Sequence, residues 1–296
     1  MAWLAFSVFG YFLNSIAIAI DKTLLRRAIP HPAAYAFAVA GLGGIVIPAL
    51  PFVNRPPGIL LFASLAAGAI FTLALFLFYK LLQESEASRV TPLVGGLTPV
   101  VILILGWFFL GETLTLLEIA AFALILFGSV IVSRPAPSGY RGERRSIFLP
   151  GLIVATVFAV SYAGSKFVYV NADFIGALLW RTAGSAAAAF ALLLSAENRR
   201  AIIGVLRAPR ESTTIAFVGG QSAGAASFVL VNYALSIGHT AIVNALAGLQ
   251  YVFLFLIVLG FGRSFPAIRE HIRGSVASKV AGVILIGGGI ALLAFT

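Results

Sequence analysis

The sequence predicts an all-α polytopic membrane protein, with ten transmembrane helices forming two inverted five-helix repeats. Three observations carry that prediction. The 296-residue chain is 60% hydrophobic and only 10% charged, with a mean hydropathy of +1.05, whereas a soluble domain carries about 25% charged residues to solvate its surface. Apolar runs long enough to cross a bilayer, which takes roughly 20 residues each, recur ten times. Lysine and arginine gather in alternate breaks between those runs.

The runs lie at 2–21, 33–53, 58–79, 89–109, 114–133, 148–169, 174–195, 213–236, 240–262 and 276–295. The first lacks a preceding basic residue and is followed directly by further spans, so it reads as a retained helix and not a cleaved signal. Breaks carry turn chemistry: His31-Pro32 after the first run, Asn54-Arg55-Pro56-Pro57 after the second, Pro135-Ala136-Pro137-Ser138-Gly139 after the fifth and Ala208-Pro209-Arg210 after the seventh. Within the runs, Gly41, Gly43, Gly44, Gly95, Gly96, Gly219, Gly220, Gly224 and Gly287 to Gly289 supply small surfaces, on which helices approach closely in lipid. The expected organisation is a first repeat over 1–134, a cytoplasmic linker over 135–147 and a second, inverted repeat over 148–296.

Orientation follows from the cations. Breaks after odd-numbered runs hold seventeen, namely Lys22, Arg26, Arg27, Lys80, Arg89, Arg134, Arg141, Arg144, Arg145, Arg199, Arg200, Arg207, Arg210, Arg263, Arg269, Arg273 and Lys279. Breaks after even-numbered runs hold two, Arg55 and Lys166. The positive-inside rule then places the odd breaks in the cytoplasm and both termini outside a plasma (inner) membrane. The net charge of +10 belongs to loops and forms no basic face, so nucleic acid is excluded as a partner. The expected partners are the lipid bilayer and a small-molecule substrate, with the chain a monomer or weak homodimer.

An internal repeat is visible. At an offset of 154, Tyr79 falls on Tyr233, Leu82 on Ser236, Ala87 on Ala241, Gly106 on Gly260 and Trp107 on Phe261. At an offset of 144, Phe9 falls on Ile153, Leu13 on Val157 and Lys22 on Lys166, the difference fitting in a loop over 197–211. Five spans per copy force the second copy into the membrane upside down. Inverted repeats about an in-plane pseudo-twofold axis are a recurrent architecture of secondary transporters.

The segment from Glu84 to Arg134 reads ESEASRVTPLVGGLTPVVILILGWFFLGETLTLLEIAAFALILFGSVIVSR. Its Ala87-Ser88-Arg89 stretch, Pro92, Pro99, Leu110-Gly111-Glu112 turn and Gly128 resemble the hallmark of the EamA-like branch of the drug/metabolite transporter superfamily. The second half keeps Thr240-Ala241-Ile242 and Gly260 but has Gly262-Arg263-Ser264-Phe265-Pro266 in place of the Leu-Gly-Glu turn. The resemblance implies an exporter, exchanger or facilitator of a small polar metabolite, such as an amino acid or related compound.

Polar groups at membrane depth are costly and mark functional candidates. Arg181, inside the seventh run, offers a forked donor to an anion, against a structural pairing with a carbonyl or carboxylate. Lys22 and Lys166 fall at matching ends of their repeats, as snorkelling cations or as two charges for one central site. Asn14, Tyr79, Gln221, Asn232, Tyr233, Asn244, Gln250 and Tyr251 are the uncharged candidates, with helix-to-helix hydrogen bonding as the structural alternative. Trp107 and Trp180 read as interface anchors. The expected site is a central cavity lined by the first, third and fourth spans and their partners, the sixth, eighth and ninth.

Other chemistries find little footing. No cysteine is present, no GxxxxGK[ST] loop occurs, and no cofactor is expected. A membrane-embedded enzyme would need a nucleophile with its base or a metal cluster, and a channel would need a ring of like side chains. Both remain as alternatives to the transporter.

Overall fold

The computed structural model describes residues 2–25, 31–85, 87–133, 147–207, 214–261, 276–293 and 295. Among these, the regular structure is helical throughout. The helices are α1 (Ala2–Leu25), α2 (Pro32–Gly41), α3 (Gly58–Glu84), α4 (Ala87–Leu105), α5 (Leu116–Ser133) and α6 (Phe148–Asn171), followed by α7 (Phe174–Ala191), α8 (Ala196–Arg207), α9 (Thr214–Ile237), α10 (Thr240–Ala245), α11 (Leu249–Phe261) and α12 (Val276–Leu293). By length and composition, seven helical segments are able to cross a membrane: Ala2–Ile20, Pro32–Phe52, Gly58–Glu84, Val90–Leu110, Phe148–Asn171, Phe174–Leu194 and Thr240–Ile257. Leu116–Val132 and Ala277–Leu293 are shorter apolar helices.

Local chemistry explains the departures from regular helix. After α2 the chain tightens into a 3₁₀ stretch over Leu42–Phe52, which contains Pro48 and Pro51; neither has an N–H to give an α-helical bond. α4 carries Pro92 and Pro99 and ends in a π-turn over Gly106–Leu110. That turn closes on Gly111 in the left-handed region (φ 65°, ψ 17°), whose N–H bonds the Gly106 carbonyl, a conformation that glycine adopts without a Cβ penalty. The glycine of the Leu110-Gly111-Glu112 motif therefore has a backbone reason.

The segment 197–211, expected as a loop, is in part a helix. α8 packs on α2, with Ile202 buried against Ala33 and Ala34 while Arg199 and Arg200 face outward. Its apolar residues fill one face of a short helix instead of a whole span, so run length alone passes over it. Lys279, counted among the loop cations, sits in the first turn of α12 and donates to the Val132 carbonyl at 3.2 Å.

Packing is pairwise and close. α1 lies against α9, α5 against α12, α3 against both α7 and α6, and α4 against α6. At the α3–α7 contact, a Cβ on Gly68 would overlap the Arg181 carbonyl and one on Gly184 would overlap the Leu65 backbone. Thr72 and Ser185 hydroxyls meet there at 2.8 Å, and Thr72 Oγ1 donates to the Ser185 carbonyl at 2.9 Å. This contact sets the position of Arg181.

Candidate functional site

Arg181 lies eight residues into α7, about 10 Å along the helix from Phe174 at 1.5 Å per residue. It is 1% exposed and is among the largest fully buried side chains. Its Nε donates to Ser165 Oγ on α6 at 2.7 Å, and Ser165 in turn donates to the Ser161 carbonyl. The guanidinium lies over Phe71 of α3 at 4.9 Å and Phe228 of α9 at 5.2 Å from the ring centroids. Nη1 and Nη2 are buried without a hydrogen-bond partner. No carboxylate pairs with Arg181 among the described residues. Aromatic faces attract a guanidinium, but they leave its forked edge unsatisfied.

Aromatic rings extend from this point. Tyr162 packs on Phe71 at 6.2 Å and stacks near-parallel on Phe158 at 6.3 Å. Phe158 meets Phe78 at 6.2 Å. Phe78 contacts Tyr79, and Tyr79 lies 4.2 Å from Tyr35 at the start of α2. This file runs along α3 and α6 towards the end where α3 finishes and α2 begins.

The opposite end carries an ionic cluster around a cleft of about 380 Å³, lined by Trp3, Glu112, Glu118, Lys166, Ile237, Gly238, His239 and Leu293. Glu112 accepts from the Thr240 N–H at 3.0 Å and the Thr240 hydroxyl at 2.8 Å, so it caps the start of α10 and meets the positive end of that helix. Lys166 lies 3.8 Å from Glu112 and donates to the Ser236 and Gly238 carbonyls at 3.2 and 2.9 Å. His239 Nε2 approaches Glu118 at 3.4 Å, and Glu118 also accepts from the Thr115 N–H and hydroxyl.

Lys166 thus belongs to the end at which α1 begins. Lys22 is near the other end of α1, about 28 Å along the helix from Trp3; its side chain is outside the described residues. The two lysines do not converge on one central site, because most of the length of α1 lies between them.

The uncharged candidates divide. Asn232 accepts from the Tyr169 hydroxyl at 2.8 Å and donates to the Phe228 carbonyl, next to the Arg181 cage. Asn14 donates to Gln250 Oε1 at 2.6 Å, tying α1 to α11. Tyr251, beside Gln250, packs against Ala19 and Leu254, and Asn244 returns to the Thr240 carbonyl within α10. Tyr233 is 37% exposed, edge-on to Phe6 and Phe174. Gln221 is half-buried on α9. Trp107, 59% exposed, has the anchor's position, whereas Trp180 lies under Arg55 with its indole N–H buried and unpartnered.

Several contributors escape sequence reading. Tyr11 donates to the Val243 carbonyl at 2.9 Å and Ser129 to the Ala245 carbonyl at 3.3 Å, next to the 3₁₀ break over Leu246–Gly248 between α10 and α11. Phe71, Phe228, Ser165 and Tyr162 read as apolar or small packing residues until the fold places them around Arg181.

Comparison with known proteins agrees with this fold. A solved structure aligns over 98% of this chain and 96% of its own, with a TM-score of 0.63 at 18% sequence identity, a likeness of fold alone. Among curated proteins, no sequence matches. The model of the EamA-like transporter family matches residues 2–134, the stretch containing the Glu84–Arg134 motif. Over that stretch the chain is similar to the EamA-like transporter family, and with its run of long apolar helices the protein is a multi-pass membrane protein.

Proposed function

We propose that the protein is a secondary-type transporter of a small polar metabolite, such as an amino acid or related compound. It works by alternating access between two inverted halves, 1–134 and 148–296. The observation that carries this reading is the matched pairing of helices across the halves. α1 packs on α9, and α6, its expected repeat partner, packs on α3, the expected partner of α9. α4 packs on α6, and its counterpart α11 packs on α1.

Helix shapes support the same correspondence. α1 and α6 have 24 residues each, and α5 and α12 have 18 each. Pro32–Phe52 and Phe174–Leu194 have 21 residues each, and each begins α-helical and ends 3₁₀. The 3₁₀ break over Leu246–Gly248 falls where an offset of 154 puts Pro92 to Val94 of the first half. The first half is continuous helix there but carries Pro92 inside it, so both halves have a weakened point at the matching position, and such discontinuities are found at transport sites.

The topology of ten spans with both termini outside also finds support. Trp3, Glu112, Lys166, Gly238 and Leu293 line one cleft, and alternation puts every one of them on the non-cytoplasmic side. The test is uptake and counterflow in liposomes with a mixed metabolite panel read by mass spectrometry. Saturable counterflow supports the carrier, and flux rising linearly without exchange overturns it.

A further inference from the structure

We infer that the Arg181 site takes the carboxylate of a monoanionic organic acid with a flat apolar body. This rests on the transporter reading and narrows it to a substrate class. The guanidinium lies over the rings of Phe71 and Phe228, and its Nε is committed to Ser165. Only the edge bearing Nη1 and Nη2 is free, and that edge is buried without a partner. Two parallel N–H groups match the two oxygens of a carboxylate in a bidentate pair. A buried charge is tolerated when it is paired, and the incoming anion supplies the pair.

Charge and shape set the class. Arg181 is the one cation in the described cage, so a single negative charge balances it and a phosphomonoester dianion would leave charge over. Tyr162 and Phe158 stack near-parallel beside Phe71, offering flat apolar walls next to the fork. Because the fork is 1% exposed, an acid reaches it only when the helices around it separate. Such separation is the opening step of alternating access.

The test is isothermal calorimetry and thermal melting of detergent-purified protein at neutral pH. The probes are benzoate, its neutral counterpart benzyl alcohol, and phenyl phosphate. Benzoate is expected to bind saturably and raise the melting temperature, with the other two clearly weaker. Arg181→Lys, which keeps charge but loses the fork, should weaken benzoate about tenfold, and Arg181→Gln about a hundredfold. Equal binding of benzyl alcohol, preference for phenyl phosphate, or unchanged benzoate affinity in monodisperse Arg181→Gln would each overturn the inference. If Arg181→Gln does not fold, the ranking of probes on the unaltered protein and on Arg181→Lys decides the matter. Arg181-dependent binding without counterflow removes the carrier and keeps this site. Counterflow without such binding removes this site and keeps the carrier.

Discussion

Glu112 joins the turn after α4 to the start of α10 and to Lys166 of α6, so one carboxylate links the two halves at a single end of the bundle. Hydrogen bonds to charged groups contribute about 1.5–3 kcal/mol each, and removing one partner of a buried set costs more than the set contributes intact. Glu112→Ala should therefore destabilise the protein by about 2 kcal/mol or more. The check is the melting temperature in detergent, where Thr240→Val, which removes the hydroxyl but not the capped N–H, should cost less. Equal melting of Glu112→Ala and the unaltered protein would remove the capping role. The sequence marks Glu112 through its Leu-Gly-Glu turn but does not say what it holds, because Thr240 is 128 residues away. Arg181 is the reverse case. A guanidinium inside an apolar run is visible at once, but the rings it lies over come from α3 and α9 and look like ordinary apolar packing residues.

Element boundaries were largely legible, since run length and turn residues follow directly from bilayer thickness. What a run cannot reveal is a change of helix type within it, or a neighbour's close approach. The break over Leu246–Gly248 sits in a continuous apolar stretch, and Tyr11 and Ser129 satisfy carbonyls beside it from α1 and α5. Tyr11→Phe and Ser129→Ala should each lower stability by about 1 kcal/mol, read as a lower melting temperature; an unchanged value in both would show that those carbonyls need no side chain. Glycines make the same point. A Cβ at Gly68 meets the Arg181 carbonyl, while a Cβ at Gly95 meets nothing within 4 Å. Gly68→Ala should reduce the yield of folded protein sharply by forcing α3 from α7. Gly95→Ala should be neutral or stabilising by up to about 1 kcal/mol, since alanine favours helix. Equal yields would contradict the close packing. Both residues are glycine in an apolar run, so only the helix pairing distinguishes them.

At the scale of the whole molecule, low charge and high hydropathy were enough to place the chain in a membrane, whereas the inverted repeat is an expectation drawn from the odd number of spans in each half. Lys22 and Lys166 part company because most of the length of α1 lies between them, which the offsets alone leave unseen. The topology predicts that alkaline phosphatase fused to the C-terminus is active and a fluorescent protein fused there is dark; the opposite pair of results would end it. The chain has no cysteine, so Glu112→Cys with Thr240→Cys offers a clean cross-link across the ionic cluster. Locking that pair should abolish transport reversibly, and full flux in the locked state would show that this end does not open. The central claim is that the two halves alternate around a site between them, and counterflow in proteoliposomes tests it most directly. The account predicts that a transported metabolite on one side accelerates entry of its labelled form from the other, saturably and without net flux. Labelled entry that rises linearly with concentration and ignores the metabolite on the far side would contradict it.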